Sequence, residues 1–242
     1  MGAGNCKSFE LPLRNSTLKH LSTGAALGCA LAIGSAAGAQ PAFDQHPNLS
    51  GTYLQRTAGA QNLASFQLTP EGQAAFDRNK AGIAASDPDI DTALRCEPQG
   101  VPRMLSPGPL PFVVLQTPNI VGVVSEAFAQ PRLIFLVNEH RNGYWPTYMG
   151  DSIAHWEGGT LVIDTVNFVP TTFLDMRGLP HSDALHVRER LELIDNGKAL
   201  QDQVAIEDKK YFKAPWMVTY QYNRRDDVKI VETVCLNTRT RP

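Results

Sequence analysis

The sequence lacks an excess of charge of either sign. It has 22 lysines and arginines against 24 aspartates and glutamates, for a formal net charge of -2 at pH 7. Because nucleic-acid binding depends on clustered positive charge, this balance argues against a nucleic-acid partner. The glycine-rich motifs GxGxxG and GxxxxGKS/T are also missing, as is the GxSxG nucleophile elbow. The sequence therefore predicts neither a nucleotide cofactor nor a serine hydrolase of the α/β type.

Long apolar runs are scarce as well. The run Ala25–Ala37 is shorter than the about 20 residues that a membrane-spanning helix needs. It follows a segment with three basic residues and one acid, and it ends in the small residues Ala37-Gly38-Ala39. This order is typical of a secretory signal peptide cleaved before Gln40. We therefore predict a signal peptide over residues 1–39, a single domain over residues 40–242, and a periplasmic protein without stable membrane insertion. A lipoprotein signal ending at Cys29 is the alternative.

Cysteine is rare. Of the four cysteines, Cys6 and Cys29 lie in the predicted signal peptide, which leaves Cys96 and Cys235 in the domain. In an oxidising compartment, two remaining cysteines are typical of one structural disulfide. A metal or redox pair is the alternative, although the close CxxC-like spacing of such pairs is missing. We predict a disulfide that joins the loop-rich first part of the domain to its last strand.

Short β-rich runs separated by turn residues make up most of the domain. They span residues 112–117, 120–125, 132–140, 152–156, 160–166, 185–194, 199–207, 216–223 and 228–235, with an opening strand near 48–53. Short connections between so many strands indicate an antiparallel meander, folded as a barrel or a sandwich. Because closure removes exposed edges, we predict an all-β, antiparallel up-and-down barrel of the lipocalin type with a central cavity.

Two features precede these strands. Thr69-Pro70-Glu71 places a capping residue before a proline at the first helical position, which predicts one short helix. Residues 98–111 contain five prolines and two glycines, which predicts an irregular wrapping loop.

Three acids alternate with apolar residues in predicted strands. Glu189 shares a face with Val187 and Leu191, Asp164 shares one with Val162 and Val166, and Glu232 lies among the apolar residues of the last run. Residues two apart in a strand point the same way, so we expect these acids inside the barrel. A buried carboxyl group is either a structural partner of a buried cation or an acid/base group with a raised pKa. Both interpretations stay open at this point.

Histidines supply a second set of candidates. His181 follows a loop that leads directly to His186, and His140 ends a strand before a loop that contains Trp145 and Tyr148. These residues are expected to line the mouth of a barrel. The spacing of the histidines matches no zinc signature, so we predict no metal site. His155 alternates with exposed positions and is expected at the surface.

Three stretches resemble a family of exported, lipocalin-like β-barrel proteins of bacteria. They are GDSIAHWEGGTLVIDT at 150–165, PHSDALHVRER at 180–190, and Ile206-Glu-Asp with Tyr211 and Pro215-Trp216. The resemblance covers nearly the whole domain, and it implies export and a barrel but no particular chemistry. His155 stands where an arginine is more usual in that family.

The chain is also similar, more distantly, to cofactor-independent γ-formaldehyde lyases that act on lignin-derived phenylcoumaran dimers. That similarity implies a base for a hydroxymethyl group, an acid or cation for the leaving phenolic oxygen, and an aromatic site, with no cofactor. We expect a catalytic set of His181, His186, Glu189, Asp164 and Arg190, and a substrate-binding set of His140, Trp145, Tyr148, Phe168 and Glu232. Arg190 falls on the strand face opposite Glu189.

Two other functions remain open. One is a non-catalytic periplasmic protein that binds small hydrophobic or aromatic ligands, and the other is a scaffold whose core is filled. The sequence does not indicate the substrate or the oligomeric state.

Overall fold

The computed structural model describes residues 45–56, 66–106, 108, 110–127 and 131–235. The predicted signal peptide, residues 1–39, lies outside this range and stays a prediction. No helix in the described range is long and apolar enough to span a membrane.

In the described residues the domain consists of nine strands, one α-helix and three short 3-10 turns. The strands are β1 Gly51–Gln55, β2 Phe112–Gln116, β3 Ile120–Ser125, β4 Pro131–Phe135, β5 Asp151–Glu157, β6 Thr160–Val166, β7 His186–Ile194, β8 Ala199–Glu207 and β9 Trp216–Arg224. The helix α1 is Pro70–Ala84, and the 3-10 turns are Thr92–Arg95, Arg103–Leu105 and Asp195–Gly197.

The strands close into a barrel in chain order, which confirms the predicted fold class. Pairing of β1 with β9, through Tyr53 and Arg224, completes the ring. One pair differs from the prediction of a wholly antiparallel sheet, because β4 and β5 pair in parallel through Ile134–Ser152 and Phe135–Ile153. The long segment 136–150 between these strands explains the difference, since it returns the chain to the end of the barrel where β4 began.

Alternate strand residues point into the barrel and fill it. The inward set is mostly apolar and includes Tyr53, Phe112, Val123, Ile134, Leu161, Ile163, Val187, Leu200, Val204, Val218 and Tyr222. Between the described residues of the interior, beside Arg132, Glu189 and Asp202, a space of about 10 Å³ remains. That space is about the size of one water molecule, so the prediction of a central ligand cavity is wrong. A barrel of about eight strands is narrow enough for side chains to fill, and the large inward side chains do so here.

The helix and the disulfide follow their predictions. Thr69 caps α1 by accepting a hydrogen bond from the Gly72 backbone N–H at 3.1 Å. Cys96 and Cys235 form a disulfide, with 139 residues of sequence separation.

The predicted last strand, residues 228–235, is wrong: this segment is mostly exposed and forms no strand. The outer edge of β9, where a further strand would pair, is already occupied by β1.

Candidate functional site

A groove of about 440 Å³ lies between α1, the segment 87–95 and the segment 170–181. We call it the α1 groove. Its wall contains two arginines, two aspartates, two aromatic side chains and one histidine, and the residues used below are Arg78, Thr172, Phe173, His181 and Tyr211. This mixture of apolar surface and a few polar groups is typical of small-molecule sites.

The N-terminus of α1 is fixed to the turn that follows β8. The Thr69 hydroxyl donates to the Lys210 carbonyl oxygen at 2.7 Å, and the Thr69 N–H donates to the Tyr211 carbonyl oxygen at 2.9 Å. Gly72 permits this close approach, because a Cβ atom there would lie 2.3 Å from the Tyr211 carbonyl oxygen. Capping and docking together set one wall of the groove.

A tight antiparallel turn forms the opposite wall. Phe173 pairs with Pro180, and the Leu174 N–H donates to the Leu179 carbonyl oxygen at 2.8 Å. Asp175 stabilises the turn by accepting from the Leu179 N–H at 3.0 Å. Because residues 173 and 180 face each other, the preceding Thr172 and the following His181 are also brought together.

The ring of His181 has one defined tautomer. Its Nδ1 lies 2.9 Å from the Ser182 carbonyl oxygen, which can only accept, so Nδ1 carries the hydrogen. Burial lowers the pKa of His181, which keeps the ring neutral near pH 7. Its Nε2 therefore accepts a hydrogen bond from the Thr172 hydroxyl at 2.7 Å. The result is a neutral base whose lone pair faces a hydroxyl group on the wall of the groove.

Asp208 holds the backbone around His181 in place. Its carboxylate accepts hydrogen bonds from the Ser182 N–H at 2.6 Å and from the Ser182 hydroxyl at 2.8 Å. It also accepts from the backbone N–H groups of Lys210 and Tyr211. Asp208 ends the stretch Ile206-Glu-Asp that carries the family resemblance, but it was not predicted as a site residue, although a position directly after a predicted strand is common for a turn-forming aspartate.

Three predicted site residues meet on the outer wall of the barrel. Asp164 accepts from His140 Nε2 at 2.8 Å and from His186 Nε2 at 2.7 Å through its two carboxylate oxygens. His140 Nδ1 also lies 3.0 Å from the buried carboxylate of Asp151, so the ring bridges two carboxyl groups. Burial opposes ionisation of Asp164, but the hydrogen bonds from His140 and His186 outweigh it and lower its pKa.

The inward orientation predicted for Asp164 is wrong. The inward residues of β6 are Leu161, Ile163 and Thr165, and Asp164 points outward. Segment 136–150 covers the outer face of β6 at Asp164, and the outward residues of this strand are half-buried. Because apolar residues therefore lie on both faces of β6, alternation does not identify the inward face.

Glu189 does face the interior, where it is paired with a cation. Arg132 on β4 reaches across the barrel and forms a bidentate ion pair with Glu189. The same guanidinium donates to Ser152 and Thr165. Both groups are fully buried, so Glu189 is enclosed by the core and is not part of the α1 groove.

The other predicted site residues are dispersed. Arg190 is exposed and pairs with Glu157 at 2.8 Å. Trp145 is 83% exposed, and Phe168 is buried with its ring edge toward His181 at 6.0 Å between centroids. Glu232 is exposed and lies outside every strand, because residues 228–235 do not enter the barrel.

Tyr148 lines a second groove, of about 290 Å³, that also contains Arg141 and Tyr144. Its hydroxyl donates to Glu97 at 3.1 Å. The residues predicted at one barrel mouth therefore lie on three separate surfaces: His140 and His186 at Asp164 on the outer wall, His181 in the α1 groove, and Tyr148 in the second groove.

The described ranges contain no group of three or more histidines, cysteines and acids placed to hold a metal ion. Comparison with protein-family models and with the curated proteins gives no match.

Proposed function

We propose that this protein is a cofactor-independent lyase that acts on a small aromatic compound in the α1 groove by general acid/base catalysis. The observation that carries the proposal is the neutral ring of His181 on the groove wall, with its tautomer fixed by the Ser182 carbonyl group. A neutral imidazole with an accepting Nε2 is the form that removes a proton from a substrate hydroxyl group. The volume of the groove falls within the range of about 300–1,000 Å³ that is usual for ligand pockets.

The reaction we propose is release of formaldehyde from a lignin-derived dimer of the phenylcoumaran type. His181 takes the proton of the substrate hydroxymethyl group through the hydroxyl of Thr172. The bond between the hydroxymethyl carbon and its neighbour breaks, and the electron pair forms a new carbon–carbon double bond as the phenolic oxygen leaves. The phenolate then takes up the proton from His181. The products contain every atom of the substrate, so no oxidant, reductant or cofactor is required.

Other groove residues suit the two ends of such a substrate. Phe173 and Tyr211 offer aromatic side chains to its rings. Arg78 lies on the same wall, exposed, with no hydrogen bond or ion pair to any described residue. Its guanidinium is available to the developing phenolate.

A second candidate function is binding without catalysis. The observation that favours it is that both ring nitrogens of His181 already have hydrogen-bond partners, Thr172 and Ser182. In that case the histidine stabilises the groove wall, and the groove holds a small aromatic ligand.

The deciding experiment is incubation of the purified protein with phenylcoumaran dimers, followed by assays for formaldehyde and for ligand binding. We expect turnover that His181→Gln reduces by about 100-fold or more. His155→Gln is the matched control, because His155 is exposed on β5 and away from the groove.

Since burial lowers the pKa of His181, wild-type kcat/KM should stay constant as the pH falls to about 6.5, the ordinary histidine value, and decrease below it. Tight binding without formaldehyde supports the binding protein and refutes the lyase.

We also propose that the protein works in the periplasm. The proposal is supported by the N-terminal pattern of basic residues, apolar run and small residues, and by the Cys96–Cys235 disulfide. Structural disulfides form and persist in oxidising compartments. N-terminal sequencing of the protein recovered from a periplasmic extract tests it, with Gln40 as the expected first residue.

A further inference from the structure

A chain of four residues ends at a hydroxyl group on the wall of the α1 groove. Asp208 binds the backbone and the hydroxyl of Ser182, the Ser182 carbonyl oxygen fixes His181 Nδ1, and His181 Nε2 accepts from Thr172 at 2.7 Å. Thr172 and His181 are 3% and 2% exposed, and both line the groove. A hydroxyl bonded to a base that is itself oriented by a third group has the geometry of an activated nucleophile.

The surroundings of Thr172 add to this geometry. Gly100 has a positive φ of 79° and lies so close that a Cβ atom there would be 2.6 Å from Thr172 Oγ1. The Thr172 side chain is therefore packed directly against the Gly100 backbone, where no larger residue fits. Arg78, which has no hydrogen bond or ion pair to a described residue, can approach a negatively charged oxygen of a bound ligand, whereas Arg95 of the same groove is paired with Glu97.

We propose that Thr172 is a nucleophile and that the α1 groove hydrolyses activated aryl esters through an acyl-threonine intermediate. The proposal rests on the α1 groove as a small-molecule site but not on the lyase reaction. A threonine in this role carries no short sequence motif, which is why the sequence alone did not indicate it.

The reaction balances with water as the second reactant. Thr172 Oγ1 attacks the ester carbonyl carbon, and His181 Nε2 takes the hydroxyl proton. The tetrahedral intermediate collapses, the bond to the phenol oxygen breaks, and the leaving phenolate takes the proton from His181. Water then attacks the acyl-threonine with His181 again as the base, the bond to Thr172 breaks, and the released acid leaves Thr172 with its proton restored.

The test uses p-nitrophenyl acetate and the purified full chain. We expect a rapid release of about one equivalent of nitrophenol per protein before the slower steady state, as acyl-enzyme formation requires. Mass spectrometry of the quenched reaction should find one acetyl group on the peptide that contains Thr172.

Variants separate the nucleophile from a structural role. Thr172→Val should lower the rate by about 100-fold or more, and Thr172→Ser should retain both the burst and the acetylated peptide. Thr219→Val, on the outer face of β9, is the matched control and should behave as the wild type. Thermal unfolding of each variant shows whether it is folded before rates are compared.

Three results overturn the proposal: no hydrolysis by the wild type, acetylation only at other residues, or wild-type rates in a folded Thr172→Val variant. Formaldehyde release is measured separately. Acylation of Thr172 without formaldehyde refutes the lyase and supports the nucleophile, whereas formaldehyde without acylation does the reverse.

Discussion

The carboxyl group of Asp202 lies inside the barrel beside the carboxyl group of Glu189. Both side-chain oxygens of Asp202 are fully buried and lack a hydrogen-bond donor among the described residues. Burial, with the nearby charge of Glu189, raises the pKa of Asp202 well above its ordinary value. The folded state therefore binds this proton more tightly than the unfolded state does. Stability is greatest below the unfolded pKa, about 3.9, and is lost as the pH rises from there through the folded pKa.

Replacement of Asp202 by asparagine removes this loss of stability at rising pH. We expect Asp202→Asn to increase the free energy of unfolding at pH 7 by about 1 kcal/mol or more, because an amide has no charge to desolvate and can donate to Glu189. At pH 4 the change should be small. Urea unfolding at both pH values measures it, with exposed Asp227→Asn as the control. An asparagine variant that is less stable than the wild type at pH 7 contradicts the assignment.

Residue-level prediction from the sequence succeeded only where one strand face meets the core and the other meets solvent. Glu189 satisfies this condition, because its neighbours Arg188 and Arg190 are exposed. Asp164 does not, since a loop covers the outer face of its strand. Asp202 alternates with Leu200, Val204 and Ile206, so the same pattern could have indicated it as an inward acid. The contact between Thr172 and His181 depends on a tight turn that no local pattern specifies.

At the level of elements, the Thr69 side chain both caps α1 and fixes the N-terminus of the helix to the turn after β8. The Thr69 hydroxyl accepts from Gly72 and donates to the Lys210 carbonyl oxygen. Loss of a capping hydroxyl costs about 0.5–2 kcal/mol. We expect Thr69→Ala to reduce the free energy of unfolding toward the upper end of this range and to weaken ligand binding in the groove, whereas Thr69→Ser should preserve both. Chemical unfolding and ligand titration of the two variants provide the measurement. Equal stability of the alanine and serine variants would rule out this role.

Segment 136–150 is held to the barrel wall by a charged contact. His140 joins Asp151 of β5 to Asp164 of β6, and both carboxyl groups have lowered pKa values despite burial, because Arg141 and His140 bind Asp151 while His140 and His186 bind Asp164. This stabilisation is complete above the unfolded carboxyl pKa, about 3.9, and is lost as the pH falls through the folded values.

A glutamine at position 140 can donate to only one of the two carboxylates. Since a hydrogen bond to a charged group contributes about 1.5–3 kcal/mol, we expect His140→Gln to open segment 136–150 about tenfold more often or more. Limited trypsin digestion at neutral pH, with mass spectrometry of cleavage after Arg141, reports the opening. His155→Gln is the control, and an unchanged cleavage rate would show that the segment is held by other contacts.

For the whole molecule, local sequence patterns predict the strand order and the closure of the barrel. They do not predict whether side chains fill its interior. The strands predicted on either side of the turns at 157–160 and 195–198 are paired in the structure, because turn residues in a short connection favour pairing of the flanking strands. Whether the closed barrel contains a cavity depends on the combined volume of the inward side chains of all nine strands. Arg132 spans that volume to reach Glu189, a contact between residues 57 positions apart that alternation alone does not reveal.

The disulfide constrains nearly the entire domain. Cys96 and Cys235 are 139 residues apart, and the loop they close contains eight of the nine strands. Loop-closure entropy for such a length corresponds to about 5 kcal/mol, and loss of a native disulfide usually costs about 2–5 kcal/mol. We expect the double variant Cys96→Ser/Cys235→Ser to unfold at a lower urea concentration by that free-energy difference. Reduction of the wild type should give the same midpoint as the double variant, because both remove the same constraint. Coincident midpoints for the oxidised wild type and the double variant would show that the bond adds nothing to the stability of the barrel.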